Sequence, residues 1–181
     1  IVSGFHTDPV GLLLSHRADW AIVSEVEQNS DVLFKPLFSY EMVGICSKDH
    51  PLANKEVWQA EDFAEETWVT YPVPDDMLDL YRQVLKPKGI NPPRRTTELT
   101  IALIQLVASR RGIATVPYWA ALPYLEKGYV VARKITEEGL YSNLYAAIRK
   151  EDVNLAYIED FHQTVKTQSF STLPGLSVLE L

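Results

Sequence analysis

Few side chains in this sequence are spaced for covalent chemistry. The four histidines, His6, His16, His50 and His162, are scattered, and no cysteine-histidine or histidine-carboxylate spacing matches a metal site. The single cysteine, Cys46, lies in the apolar run YEMVGICSKD, where it reads as a small buried packing residue with no partner for an intrachain disulfide. Adjacent acids at Glu65-Glu66, Asp75-Asp76 and Glu137-Glu138 sit at helix starts or in loops, where neighbours face water and favour the helix dipole rather than share acid and base work. The eight glycines are dispersed, so no phosphate loop, nucleophile elbow or dinucleotide fingerprint forms. Neither a catalytic set nor a metal or other cofactor is expected.

What remains are polar groups at the ends of apolar runs. In RADWAIVSE, residues 17–25, a short apolar strand halts on Ser24-Glu25, which either turns to solvent or delivers polar groups to a site. In Tyr71-Pro72-Val73-Pro74 two prolines stiffen a turn that holds a phenol at a strand end, equally suited to a packed tyrosine and to a ligand contact. Thr96-Thr97-Glu98-Leu99-Thr100 precedes a strongly apolar helix, so one of these residues is expected to cap it, leaving backbone N–H groups that could receive a carboxylate. Arg110-Arg111 closes that helix at the negative end of its dipole, a capping role that needs no bound anion, and Arg94-Arg95 is likewise no evidence of an anion site.

The elements that would position these groups alternate helix and strand. After a strand at Ile1–Gly4, Asp8 and Pro9 open a helix with Val10, Leu13 and Leu14 as its apolar stripe. DWAIVS reads as a strand covered on both faces, and VLFKPLF and YEMVGICS as two strands parted at Ser39. Then follow AEDFAEE as a short helix, TWVTYPV as a strand, and DDMLDLYRQVLKPKG as a longer helix whose charge order suits the dipole. The strand-helix-strand unit RRTTELTIALIQLVASRRGIATVPYW carries Ile101, Ile104, Leu106 and Val107, too apolar for one exposed face, which predicts a deeply buried helix. A short helix AALPYLEKG, strands YVVARKI and LYSNLYAAIR, and an amphipathic helix with Leu155, Ile158, Phe161 and Val165 in phase complete the chain, before a tail without period. PVGLLLSHRADWAIVSE and TIALIQLVASRRGIATVPYW resemble each other, as two like lobes would. In open parallel sheets ligands gather beyond the carboxyl ends of the strands, where Ser24, Tyr71 and Pro117 fall.

The 181 residues, 46% hydrophobic and 23% charged, suffice for one sizeable domain or two small lobes. No apolar run approaches the roughly 20 residues that span a bilayer, and no export signal opens the chain, so a soluble cytoplasmic protein is expected. IVSGF reads as a strand already in progress, as in a piece of a longer polypeptide. A net charge of −7 and a pI near 5.1 exclude a phosphate-binding footprint on this segment itself.

RADWAIVSE, LFSYEMVGICSKDHPLA and LTIALIQLVASRRGIATVPYW, in that order, resemble the effector-binding domain of LysR-type transcriptional regulators across essentially the whole chain. The segments IVSGF, DPVGLLL, YPVPDDMLDLY, INPPRRTTELTIALIQLVASRRGIATVPYW and LPGLS are similar to the methionine-biosynthesis branch of that family. The resemblance implies an α/β, two-lobed fold of the type-2 periplasmic-binding-protein kind, each lobe a mixed sheet flanked by helices. Residues 1–38 with 145–181 would form lobe I, lacking its first strand and helix, and 39–144 lobe II, with two crossover segments between them. It further implies no enzyme activity but a small-molecule effector, homocysteine, held between the lobes near Phe5, His6, Ser24, Tyr71, Pro72, Thr100 and Pro117. Self-association to a dimer or tetramer, DNA contact through an N-terminal helix-turn-helix beyond this segment, contact with RNA polymerase and no membrane partner complete the implication. Many family members carry glycine at the place of Arg110, which leaves a left-handed helix stop there without its usual residue. From the residues alone the reading reaches a two-lobed α/β binding protein, so a transporter's solute-binding protein, a regulator sensing another metabolite and an enzyme on the same scaffold stay open.

Overall fold

The computed structural model describes residues 8–179. Contacts divide the chain into two compact units, one holding the chain up to Tyr40 and from Ser142 onward, the other Glu41–Tyr141. Two long strands belong to both: β2, Val32–Cys46, and β8, Leu140–Arg149. The sequence predicts two strands parted at Ser39, yet β2 runs unbroken for 15 residues. No glycine or asparagine offers a turn at Ser39, and its backbone stays paired while its hydroxyl donates to Ser142 O at 3.3 Å.

In the first unit, helix α1 (Pro9–Leu14) begins with the Asp8 carboxylate accepting the Gly11 N–H at 2.7 Å and with Pro9 in the first turn. Val10 and Leu13 are buried, whereas Leu14, expected in the same stripe, is exposed because six residues present only one i, i+3 pair inward. Strand β1 (Trp20–Val23) pairs antiparallel with β8, Trp20 opposite Ile148 and Val23 opposite Tyr145. It is covered on both faces only at the Trp20 end, where the indole packs against Phe161. Ala21 and Val23 face the core of Val10, Leu13, Val32 and Ala147, while Ile22, on the opposite face, is exposed.

The two helix exits match. Ser15 N–H donates to Gly11 O and Arg17 N–H to Leu12 O at 2.9 Å, with His16 at φ 55°. At the end of α2 (Thr100–Ala108), Ser109 N–H donates to Gln105 O and Arg111 N–H to Leu106 O at 2.9 Å, with Arg110 at φ 60°. Both are Schellman stops, and Arg110 makes the left-handed residue without glycine, the recovered carbonyl bonds offsetting about 1–2 kcal/mol of strain.

Helix α4 (Ala156–Thr172) buries Ile158 and His162, with Val165 half-buried. The expected stripe included Leu155 and Phe161, which are exposed. The inward line runs i, i+4, i+7 from Ile158, so Leu155 precedes the helix and Phe161 lies at the stripe's margin, edge-on to Trp20 at 5.1 Å. His162 is 4% exposed and its Nδ1 has no hydrogen-bond partner among the described residues. Burial, helped by Lys35 and Lys166 against the opposing pull of Glu159, holds its pKa below the ordinary value of 6.5. The folded state therefore binds fewer protons than the unfolded chain just below that pH. Stability should be full above about pH 6.5 and fall as pH drops through the folded pKa, and chemical denaturation from pH 7.5 to 5 should show a slope that His162→Gln flattens. An unchanged slope in the variant would refute this assignment.

In the second unit, β6 (Ile113–Pro117) lies antiparallel to β2, Val43 opposite Val116, and parallel to β4 (Trp68–Thr70), which is parallel to β5 (Arg94–Thr96). On its other side β2 pairs antiparallel with β7 (Val131–Ile135), which runs parallel to β3 (Val57–Trp58). Alternation sends Trp68 and Ile113 into a cluster with Trp58, Phe63, Leu85 and Ile135. Val69, Ala114 and Val116 go into the opposite cluster with Leu103, Ile104 and Val107 of α2. That helix is one-sided rather than fully buried: Ile101 is 58% exposed, because the inward stripe is 103, 104 and 107. α3 (Tyr118–Glu126) follows β6 directly.

Of the longer helix predicted for residues 75–89, a 3-10 turn at Asp75–Met77 stands apart, and residues 79–88 form one continuous helical run that widens to a π-type turn at Tyr81–Leu85 and tightens to a 3-10 turn at Lys86–Lys88. Pro87 lacks an N–H and its ring would crowd the carbonyl of Gln83 in a regular helix. AEDFAEE likewise makes a single 3-10 turn, Ala60–Phe63, with Gln59 N–H donating to Asp62 Oδ2 at 2.8 Å. The unpatterned tail contains a short strand, β9 (Leu176–Ser177), paired with β2.

Candidate functional site

Three of the predicted residues come together at one edge of the second unit. β4 and β6 are parallel neighbours, so Tyr71, just past β4, and Pro117, the last residue of β6, stand at adjacent carboxyl ends. After β5 the chain turns back, Thr97 N–H donating to Thr70 O at 3.0 Å, and α2 starts at Thr100. The Tyr71 hydroxyl and Thr100 Oγ1 are 2.8 Å apart, a hydrogen bond in which either oxygen can donate. The Tyr71 ring packs against the Val69 and Leu103 cluster. The packed-tyrosine reading describes the ring, and the hydroxyl is hydrogen-bonded to Thr100. Burial raises the phenol pKa, with the Thr100 hydrogen bond pulling the other way, so Tyr71 stays a neutral donor and acceptor.

The threonines do not cap α2 as expected. Leu99 occupies the N-cap position and no side chain bonds the first turn. Thr100 is the first helical residue instead, and its hydroxyl is spent on Tyr71. A helix start without a side-chain cap, beside a hydroxyl pair in which one O–H donates to the other, offers backbone N–H donors to an anionic group without a formal charge.

Pro72 is exposed, and the neighbouring Val73 packs on the Trp68 cluster, so the proline turn anchors the loop beneath Tyr71. Ser24 and Glu25 belong to the first unit and are exposed just past β1. Phe5 and His6 lie outside the described residues. Arg94 is structural: it pairs with Asp75 and lies over the rings of Trp68 and Tyr81 at 5.2 and 4.8 Å. Arg110 pairs with Asp49 on the surface. Sequence reasoning did not single out the Thr97 amide, whose bond to Thr70 sets where α2 begins, because no local residue pattern marks a backbone contact between separate strands.

Cys46 is fully buried, and burial first, with Glu66 adding to it and Arg133 opposing, pushes its thiol up to about 11, which leaves no thiolate to act as nucleophile. Among the described residues, no group of three or more His, Cys, Asp or Glu side chains could hold a metal ion. No helix among them is long and apolar enough to cross a membrane.

Residues 1–169 match the family of LysR substrate binding domains. The chain is 85% identical over its whole length to the HTH-type transcriptional regulator MetR of Haemophilus influenzae and covers 59% of that protein. It is 36% identical over 98% of its length to MetR of Escherichia coli, covering 56% of it. The chain thus spans a little over half the length of these curated relatives. Among solved structures, the regulatory domain of MetR, a LysR family regulator from N. meningitidis, superposes with a TM-score of 0.91 at 66% identity, over 99% of this chain and 83% of the other.

Proposed function

The chain belongs to the LysR substrate-binding domain family, and on that premise we propose that it is the effector-sensing part of a cytoplasmic transcriptional regulator of methionine biosynthesis that responds to homocysteine. The observation that carries the reading is the Tyr71–Thr100 hydroxyl pair, held at adjoining strand ends beside the uncapped start of α2. Homocysteine is a zwitterion whose carboxylate suits those hydroxyls and the α2 amides, and whose thiol suits an aromatic wall such as the Tyr71 ring. Phe5, His6, Ser24, Pro72 and Pro117 complete the proposed effector-binding set, with lobes at 1–38 plus 145–181 and 39–144. The relatives at 85% and 36% identity, both transcriptional regulators named MetR, support the role. DNA contact belongs to a helix-turn-helix outside this chain, the working assembly is a dimer or tetramer, and RNA polymerase is a partner of the whole protein. The effector acts only through its different affinity for the alternative arrangements of that assembly.

Calorimetric titration of the full-length regulator with homocysteine, methionine and cysteine tests the assignment. Homocysteine should bind, and Tyr71→Phe and Thr100→Ala should each weaken it about tenfold, the loss expected for one hydrogen bond to a charged group. Ser24→Ala should also weaken binding with little loss of folded stability. Binding of another metabolite in preference to homocysteine would sink the effector assignment, and unchanged affinity in both Tyr71→Phe and Thr100→Ala would sink the site.

A further inference from the structure

The loop that carries Tyr71 is tied down on both faces of the second unit's sheet. The Tyr71 ring packs into the cluster of Val69 and Leu103, and Val73, two residues on, into the opposite cluster of Trp68 and Leu85. Beyond it Asp75 is gripped by Arg94, the first residue of β5: Nη1 donates to Oδ1, and Nη2 to Oδ2 at 3.3 Å. Arg94 is itself fixed. Its guanidinium lies over the rings of Trp68 and Tyr81, Nη2 also donates to Asn91 Oδ1 at 3.2 Å, and its backbone stands opposite Trp68 in the β4–β5 ladder. Met77 N–H donates to Pro74 O and Leu78 N–H to Asp75 O, both at 3.0 Å, and Leu78 is buried, so the chain just past the grip is held as well. Two of the three residues between Tyr71 and Asp75 are prolines, whose rings fix φ, and Tyr71 and Val73, each preceding a proline, are kept out of the helical region. With so few free torsions, a shift at Asp75 is passed to Tyr71 rather than absorbed on the way. From the other end of β5, Thr96 leads through Thr97, whose N–H is tied to Thr70 O, to Thr100. Both members of the Tyr71–Thr100 pair are therefore referenced to β5, Thr100 by the chain itself and Tyr71 by Arg94.

We propose that Arg94 is a positioning residue for the effector site: its grip on Asp75, passed through the Pro72–Pro74 turn, holds the Tyr71 hydroxyl at hydrogen-bonding distance from Thr100 and so sets effector affinity without touching the effector. The proposal deepens the function proposed above and rests on it. A guanidinium suits the task because its planar fork meets both carboxylate oxygens while its face stacks on rings, and an ammonium does neither. Were Tyr71 held by its ring packing alone, the loop beyond it could loosen with no effect on the hydroxyl.

The test uses the full-length regulator. In protein grown with fluorotyrosine, the Tyr71 fluorine resonance, identified by its loss in Tyr71→Phe, reports the surroundings of the phenol, and Thr100→Ala sets the shift that follows loss of the hydrogen bond. Arg94→Lys, Asp75→Asn and Pro74→Ala should each move this resonance toward its Thr100→Ala position and weaken homocysteine binding about three- to fivefold, part of the loss of about tenfold expected for the bond itself. Lys86→Met, which breaks the neighbouring exposed Asp76–Lys86 pair, should leave both readings unchanged. In a Tyr71→Phe background Arg94→Lys should cost no further affinity, because it acts through the missing hydroxyl, whereas a merely structural role would add its loss in full. Additive losses, a Tyr71 resonance that stays in place in Arg94→Lys, or an equal shift in Lys86→Met would each overturn the proposal. Should Arg94→Lys fail to fold, Asp75→Asn, on the more exposed partner, decides by the same readings. If homocysteine does not bind the wild type, the effector assignment has failed, and the Tyr71 resonance still decides the role of Arg94.

Discussion

Gly112→Ala should destabilise the second unit by more than about 4 kcal/mol and leave little folded protein. Gly112 holds φ 145°, and an added Cβ would stand 2.1 Å from Thr67 O, a backbone atom that cannot swing aside. That carbonyl also accepts the Ile113 N–H at 2.9 Å, the first bond that lays β6 along β4. Moving it separates the two strands whose ends carry Pro117 and Tyr71, so the site fails with the fold. Gly89→Ala is the control. It too is left-handed, at φ 68°, but nothing lies within 4 Å of its added Cβ, so only the conformational penalty of about 1 kcal/mol applies. Urea denaturation of both variants checks the contrast, and a Gly112→Ala protein as stable as Gly89→Ala would show that β6 can shift at no cost.

Arg149→Met should cost the first unit about 3 kcal/mol. The Arg149 side chain is 7% exposed and donates to Leu13 O at 2.8 Å, Ala18 O at 2.5 Å, Asp19 Oδ1 at 2.7 Å and Asp152 Oδ2 at 2.5 Å. It thereby closes the corner between α1 and β1. Methionine matches much of its length but removes the donor to Ala18 O, leaves Leu13 O with only the His16 N–H, and leaves the 18%-exposed Asp152 without its cation. Asp19→Asn removes only the 62%-exposed partner and should cost less than about 1 kcal/mol. Thermal and urea midpoints measure both, and equal losses would mean that the surface ion pair, rather than the two carbonyls, holds the corner.

The positions of α1, β4, α2, β6 and α4 are legible because each rests on local signals. Asp8-Pro9 opens a helix wherever it stands before an apolar stripe, and the like corners at Ser15-His16-Arg17 and Ser109-Arg110-Arg111 repeat because local backbone bonds form them. Tyr71, Thr100 and Pro117 are legible as strand or helix ends for the same reason. Their relation is not: the Tyr71–Thr100 bond joins residues 29 apart and exists only because β4 and β5 lie parallel with Thr97 tied to Thr70. Side-chain direction was misjudged wherever the partner is distant, as for Leu14, Ile22, Ile101 and Phe161, since periodicity marks which residues are apolar but not where the covering element ends.

By itself the amino-acid sequence determined the class of fold, the cap of α1, the lack of a metal-ligand pattern, and the family to which the chain belongs, because capping, patterning and motif spacing are properties of neighbouring residues. Only the tertiary structure decided that β2 runs unbroken through both units, that Arg149 closes the α1 corner, that Thr100 faces Tyr71 instead of capping its own helix, and that the tail returns to Ser39–Tyr40. Those are long-range pairings. Their geometry depends on which strands become neighbours, and no local pattern of side chains encodes that.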